Sequence, residues 1–177
     1  MATIKDRIET IDALLSRLKY IEPLRRQALV DRMIEVSGCS GLPDDLMLTS
    51  EQLLELSARG IEIGGHTDAH TILTTLSVDA AKKEIAKGKA KIEQIIGKPV
   101  RMFAYPNGKP GRDYDASHVA LIKELRFAAA VTTACGVAHG KSDVHQLPRY
   151  APWGNSTTRL AARLASNARL GGPEAVC

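Results

Sequence analysis

Two histidines four residues apart are the first feature of this sequence that could carry chemistry. His66 and His70 stand in the segment IEIGGHTDAH, directly after the alternating Ile61 and Ile63 and a glycine pair. The alternation predicts a short strand over Ile61–Gly64, and the spacing places both imidazoles on one side of a turn, where they can hold one metal ion. Ligands of α/β proteins gather at the carboxyl ends of strands, which favours a metal site. A chance pair of histidines stays open as the alternative.

A second motif follows after a helix-length segment. Residues 101–108 read RMFAYPNG. Together with HTDAH, this segment resembles the polysaccharide deacetylases of carbohydrate esterase family 4. The second motif of that family reads His-(Ser/Thr)-x-x-His after a strand, and in one branch the third motif reads Phe-Ala-Tyr-Pro-x-Gly. The resemblance covers Leu46 to Pro152. It implies a hydrolase that removes N-acetyl or O-acetyl groups from a polysaccharide with a divalent metal, for which zinc is the first expectation.

The resemblance assigns a role to five residues. His66 and His70 would be metal ligands, and the backbone N–H of Asn107 would be the oxyanion donor. Tyr105 and Pro106 would line the sugar groove, with an ordinary aromatic at a strand end as the alternative for Tyr105. Hydrolysis of an acetamide needs an activated water, a Lewis acid on the carbonyl and donors for the oxyanion, so this set supplies part of the machinery.

Three family features are missing. The family takes its third metal ligand and general base from a Thr-Phe-Asp-Asp-Gly motif on the first strand, which does not occur here. The Asp44-Asp45 pair lies in a loop close to the histidines and is a poor replacement. The arginine that tunes the base in other branches is Ala104, and the late Leu-x-His motif is absent. Asp143 and His145 are the remaining candidates, with a surface position as the alternative for His145.

Two functions of different classes follow. The first is a metal-dependent polysaccharide deacetylase of which this chain is a C-terminal part that is weakly active or inactive alone. The second is a non-catalytic glycan-binding or assembly module on a remnant of the same fold. An Asp-Asp-Gly strand encoded upstream would favour the first function, and a chain that truly begins at Met1 would favour the second.

Composition narrows the surroundings and partners. The chain has 177 residues, 44% hydrophobic and 25% charged, with a formal net charge of +4. It has neither an apolar run of the roughly 18 residues that a membrane span needs nor the apolar start of a secretory signal. Three widely spaced cysteines predict free thiols in a reducing, cytoplasmic compartment. Aromatic residues make up only 4%, which argues against a nucleic-acid platform. The expected partner is a polysaccharide or oligosaccharide, with neither nucleic acid nor membrane.

The order of predicted elements defines the fold class. Apolar spacing predicts helices over residues 3–20 and from Pro23 to Gly38, with stripes that pack into a core. Later helices over residues 50–59, 77–96, 117–126 and from residue 155 or 156 alternate with strands at 61–64, 100–105, 127–133 and 146–150. His118 and His139 are expected at the surface.

Alternation of this kind predicts parallel strands and an α/β fold. By the resemblance, it is a partial distorted (β/α) barrel over residues 46–177 behind a helical N-terminal segment, residues 1–45. Four strands are fewer than a closed barrel needs. The exposed sheet edge would permit pairing with a second copy.

Overall fold

A computed structural model describes residues 3–38, 43, 45–149 and 156–167. The chain divides into two compact units, Met1–Leu48 and Thr49–Cys177. The sequence predicted a division after residue 45. Over the described ranges, no helix has the combination of length and apolar character that crossing a membrane requires.

The first unit contains the two predicted N-terminal helices. Helix α1 spans Ile4–Leu18 and helix α2 spans Pro23–Ser37. Thr3 and Asp6 form a capping box at the start of α1, which satisfies two N–H groups that have no partner inside the helix. Proline suits the first position of α2, and the helix ends at Gly38, whose left-handed φ of 64° is readily adopted without a side chain.

The apolar stripes of these helices do not form the predicted core. Neither helix contains a buried residue among those described. Ile4 is 78% exposed and Val36 81%, and Leu29 and Met33 are exposed as well. Two helices share a single mutual face, so apolar residues that point elsewhere find nothing to pack against within the unit.

The second unit alternates helices with parallel strands. Its elements are α3 (Ser50–Ala58), a 3₁₀ helix (Leu73–Thr75), α4 (Val78–Ile96), β1 (Met102–Ala104), α5 (Ala116–Glu124), β2 (Ala129–Val131) and α6 (Thr157–Asn167). Strands β1 and β2 pair in parallel, with Phe103 opposite Ala130. Parallel bridges extend this pair on both sides, from Gly65 to Phe103 and from Leu147 to Val131. The order across the sheet is therefore Gly65, β1, β2, Leu147.

The predicted first and fourth strands are shorter than expected. Residues Ile61–Gly64 form no strand, and only Gly65 pairs with β1 before the chain turns at Thr67, whose φ is 65°. The segment predicted as Gln146–Tyr150 contributes only the Leu147 bridge, and Tyr150 lies outside the described residues. The described part is a mixed helix and strand fold with a two-stranded parallel sheet, without a visible barrel.

Helix capping follows the sequence closely with one exception. The predicted Thr49 and Ser77 caps are present. Helix α5 begins at Ala116 instead of Ser117, with Asp115 as its N-cap, because the Asp115 carboxylate accepts the N–H groups of Ser117 and His118. His118 closes this capping box and is buried, so the predicted surface position is wrong.

The core of the second unit is built on aromatic rings beside the sheet. The Phe103 ring lies 5.3 Å from the Tyr105 ring and 5.2 Å from the Phe127 ring, measured between centroids. Tyr105 stacks on Tyr114 at 3.8 Å. Because all four side chains are buried, they pack β1 and the residue after it against the segments that precede α5 and β2.

We expect Phe103→Ala to lower the free energy of unfolding by about 3–5 kcal/mol, since it removes buried surface and leaves a cavity. Leu54→Ala is the control, because this α3 side chain is 48% exposed, and it should cost less than about 1 kcal/mol. Urea unfolding followed by circular dichroism measures both values. Equal effects of the two substitutions would contradict the assigned core.

Candidate metal and catalytic site

The HTDAH segment, residues 66–70, precedes β1 in the chain but begins beside the carboxyl end of β1 in space. The Gly65 N–H donates to Met102 O at 2.8 Å, and the Ala104 N–H donates to Gly65 O at 2.9 Å. The next residue, His66, is half-buried, and its Nδ1 lies 2.6 Å from Ala104 O. Because a carbonyl oxygen only accepts, Nδ1 carries the proton and Nε2 keeps its lone pair. A histidine held in this way is oriented to bind a metal through Nε2.

The second histidine lies beside the first. The ring centroids of His66 and His70 are 4.6 Å apart with an angle of 72° between the planes. The turn between them needs left-handed backbone at Thr67 (φ 65°) and at His70 itself (φ 53°). Such conformations are unfavourable for L-residues and concentrate at functional sites. The pair fits two of the three protein ligands that a catalytic zinc usually has.

A third ligand is not found in the part of the chain that the structure describes, where no three His, Cys, Asp or Glu side chains cluster. Asp68, between the two histidines, is engaged elsewhere: its carboxylate pairs with Lys87 at 2.6 Å and Lys91 at 2.5 Å. Asp45 is not in such a cluster, and Asp44 lies outside the described residues.

The pKa of His66 lies below its ordinary value. Burial has the largest effect because it disfavours the imidazolium, and the charges of His70 and Arg149 act in the same direction. The hydrogen bond to Ala104 opposes them without reversing the shift. A metal binds neutral imidazole, so the lowered pKa keeps His66 ready for a metal at lower pH.

Asn107 forms a tight turn three residues after the carbonyl that holds His66. The Gly108 N–H donates to Pro106 O at 2.6 Å, and Asn107 between them has φ 56°. Thr133 Oγ1 donates to Asn107 O at 2.5 Å, which holds the turn against the residues after β2. Within the described ranges, neither the backbone N–H nor the side-chain Nδ2 of Asn107 has an acceptor. The backbone N–H therefore has no partner within the described part of the chain, whereas the unpaired Nδ2 is buried.

The residues predicted to line a sugar groove lie in the interior. Tyr105 is fully buried, and its hydroxyl donates to His145 O at 3.0 Å. Pro106 is buried too. Both side chains are packed in the interior, and their predicted role toward a sugar stays a prediction. The alternative for Tyr105, an ordinary aromatic at a strand end, stays open beside it.

His145 lies at the other end of the sheet. Its Nε2–H donates to Phe127 O at 3.0 Å, before β2 begins, whereas His66 meets the carboxyl end of β1. Its Nδ1 lies 3.6 Å from Asp143. This pair is therefore separated from the histidine turn by the length of the strands. His145 does not replace the missing catalytic histidine in this arrangement.

The structure brings forward a residue that the sequence analysis missed. Arg149 follows the Leu147 bridge, and its Nε donates to Thr132 O at 2.6 Å at the carboxyl end of β2. The positive charge of Arg149 lowers the pKa of His66. The signal was available, since Arg149 stands near the end of a predicted strand, where site residues gather.

Comparisons with known proteins agree on one family. The family model described as "Polysaccharide deacetylase" matches residues 29–130, more than half of the chain. YxkH of Bacillus subtilis (strain 168), a protein assigned to the polysaccharide deacetylases, is 26% identical over 102 residues. That alignment covers 58% of this chain and 35% of YxkH, so the chain spans about a third of this curated relative.

Solved structures give the same result at the level of the fold. BC0361, a polysaccharide deacetylase from Bacillus cereus, matches with 26% identity and a TM-score of 0.52, covering 61% of this chain and 33% of BC0361. The Streptococcus pyogenes deacetylase PplD, solved in complex with acetate, matches with 24% identity and a TM-score of 0.55, covering 60% of this chain and 45% of PplD.

We expect the His66 ring to titrate below about 6.5 in the metal-free protein, because burial and nearby cations disfavour its charged form. Removal of one cation by Arg149→Gln should raise the His66 pKa. The control Arg59→Gln removes an exposed arginine paired with Glu55 and should leave it unchanged. Chemical shifts of the His66 ring, followed against pH, measure its pKa in the wild type and in both variants. A wild-type His66 that titrates above 6.5 would contradict the assigned surroundings.

Proposed function

Because the chain belongs to the polysaccharide deacetylase family, we propose that it is a metal-dependent hydrolase that removes acetyl groups from a polysaccharide. The family acts on carbon–nitrogen bonds of polysaccharides, so N-acetyl groups are the first choice of substrate. The observation that carries the proposal is the pairing of His66 and His70 at the carboxyl end of β1. We also propose that the mixed helix and strand unit is part of a distorted (β/α) barrel, the fold that the resemblance implies.

We propose zinc as the metal, with Nε2 of His66 as one ligand and His70 as the second. Bound there, zinc would polarise the acetamide carbonyl and lower the pKa of a water molecule to about 7. The chain contributes orientation. Ala104 O fixes the His66 tautomer, and the left-handed turn brings the His70 ring against it.

The oxyanion donor in this proposal is the Asn107 backbone N–H. It has no acceptor among the described residues, as a donor reserved for a reaction intermediate requires. The turn is rigid because Thr133 holds the Asn107 carbonyl and Gly108 closes the ring of backbone atoms. A preorganised donor stabilises the developing charge without reorganisation during the reaction.

The described residues provide neither a third metal ligand nor a general base beside His66 and His70. We propose that both come from outside the described residues, and that the chain by itself binds zinc weakly. Without a base, proton transfer loses a contribution of typically 10²–10⁴-fold. Acetate release by the chain alone is then slow or undetectable, and a longer protein with an Asp-Asp-Gly strand restores it.

A second candidate is a non-catalytic glycan-binding or assembly module on the same fold. The observation that favours it is that no carboxylate joins His66 and His70 in the described part of the chain. Acetate release distinguishes the two functions. A binding module would bind an oligosaccharide without releasing acetate, even in a longer form of the protein.

We expect zinc to bind with one saturable site that is lost in His66→Ala and in His70→Ala. His139→Ala is the matched control, because this exposed histidine lies in a separate loop, and it should bind zinc as the wild type does. Isothermal titration calorimetry measures the affinity, and acetate release from an N-acetylglucosamine oligomer measures turnover. Brisk, chelator-sensitive release by the chain alone would show that the base and third ligand lie within it.

The Asn107 donor is tested by substitutions that separate the backbone from the side chain. Asn107→Gly keeps the N–H and adopts the left-handed φ easily, so turnover of the longer protein that contains the Asp-Asp-Gly strand should stay within about threefold. Asn107→Pro removes the N–H and cannot reach φ 56°, so turnover should fall about 10²–10³-fold. Circular dichroism confirms that each variant folds. A large loss in Asn107→Gly would transfer the role to the side chain.

A further inference from the structure

We propose that Glu84 is a positioning residue that fixes the backbone around His70 so that its ring faces His66. The proposal rests on the proposed metal site, since it gives Glu84 the task of arranging one of the two ligands. Glu84 lies on α4, fourteen residues after His70, and no part of the sequence motif points to it.

The contacts of Glu84 enclose His70 on both sides. The Ala69 N–H donates to Glu84 Oε1 at 2.6 Å, and Thr71 Oγ1 donates to the same oxygen at 3.3 Å. One carboxylate oxygen therefore holds the residue before His70 and the residue after it. His70 itself has φ 53°, a conformation that residues with a side chain rarely adopt without outside restraint.

The rest of the turn is fastened to α4 by different groups. Asp68 pairs with Lys87 and Lys91, and the backbone at Thr67 lies directly against Gly88. These contacts hold the residues after His66 and stop at Asp68. Glu84 takes over from Ala69 onward. Its loss should therefore release His70 while the first half of the turn keeps its attachment.

Glu84 acts through hydrogen bonds rather than as a third metal ligand. It does not form a cluster with the two histidines among the described side chains. The task needs an acceptor at the Oε1 position and not a negative charge, so glutamine should replace it and alanine should not. Groups that orient a metal ligand in this indirect way typically change metal affinity by about 10–100-fold when removed.

The experiment compares Glu84→Ala, Glu84→Gln and Glu93→Ala. Glu93 is a matched control, because it lies on the same helix and also accepts a backbone N–H, that of Val100 at 2.9 Å. In the metal-free protein, nuclear Overhauser contacts between the His66 and His70 rings report their pairing. They should persist in Glu84→Gln and Glu93→Ala and disappear in Glu84→Ala.

Zinc affinity is measured on the wild type and on the same three variants, and cobalt absorption reports the ligand geometry. Glu84→Ala should weaken zinc binding about 10–100-fold, and the other two variants should stay within about threefold of the wild type. Ring contacts and affinity that survive in Glu84→Ala would overturn the inference. So would equal losses in Glu93→Ala, which would indicate a general loss of stability. A wild type with paired rings and no zinc binding would overturn the proposed metal site and leave the positioning of His70 intact.

Discussion

The close contact between helix α4 and the backbone of the histidine turn is the constraint on which the site depends. A Cβ atom at position 88 would lie 2.5 Å from the carbonyl carbon and oxygen of Thr67, so only glycine lets the helix come this near. The approach brings Glu84, Lys87 and Lys91 to the turn, where they bind its backbone and the Asp68 carboxylate. Two left-handed residues are held there by the helix, while β1 holds the chain just before the turn through Gly65 and His66.

The same region shows how a short sheet can organise a site. Strands β1 and β2 have three residues each, yet both end at the same edge. At that edge, Ala104 O orients His66, and the Asn107 turn is tied to the residues after β2 through Thr133. The site is therefore built mainly from main-chain groups whose positions follow from parallel pairing. Side chains contribute the two imidazoles and the anchors on α4.

The ligand set is incomplete among the described residues, and the chain spans only part of the length of the proteins it matches. The described residues bring two histidines together, and the Asn107 backbone N–H is the oxyanion donor that we propose. The chain corresponds to about a third to a half of the length of the proteins it matches.

The first unit carries apolar helix faces that are exposed, including Ile4 and Val36. Helix periodicity predicted burial of these faces. The prediction failed because an apolar stripe shows which face of a helix is apolar and not what covers that face.

Local signals in the sequence determined the helices, their caps and the identity of the site motifs. The Thr49 and Ser77 caps and the order of parallel segments follow from residues close together in the chain. Tertiary structure decided what depends on distant residues. It buried Tyr105 on Tyr114, sent His145 to the far end of the sheet, and shortened the outer strands to single bridges. It also brought Glu84 to the histidine turn, because a hydrogen bond between residues fifteen apart has no local pattern to announce it.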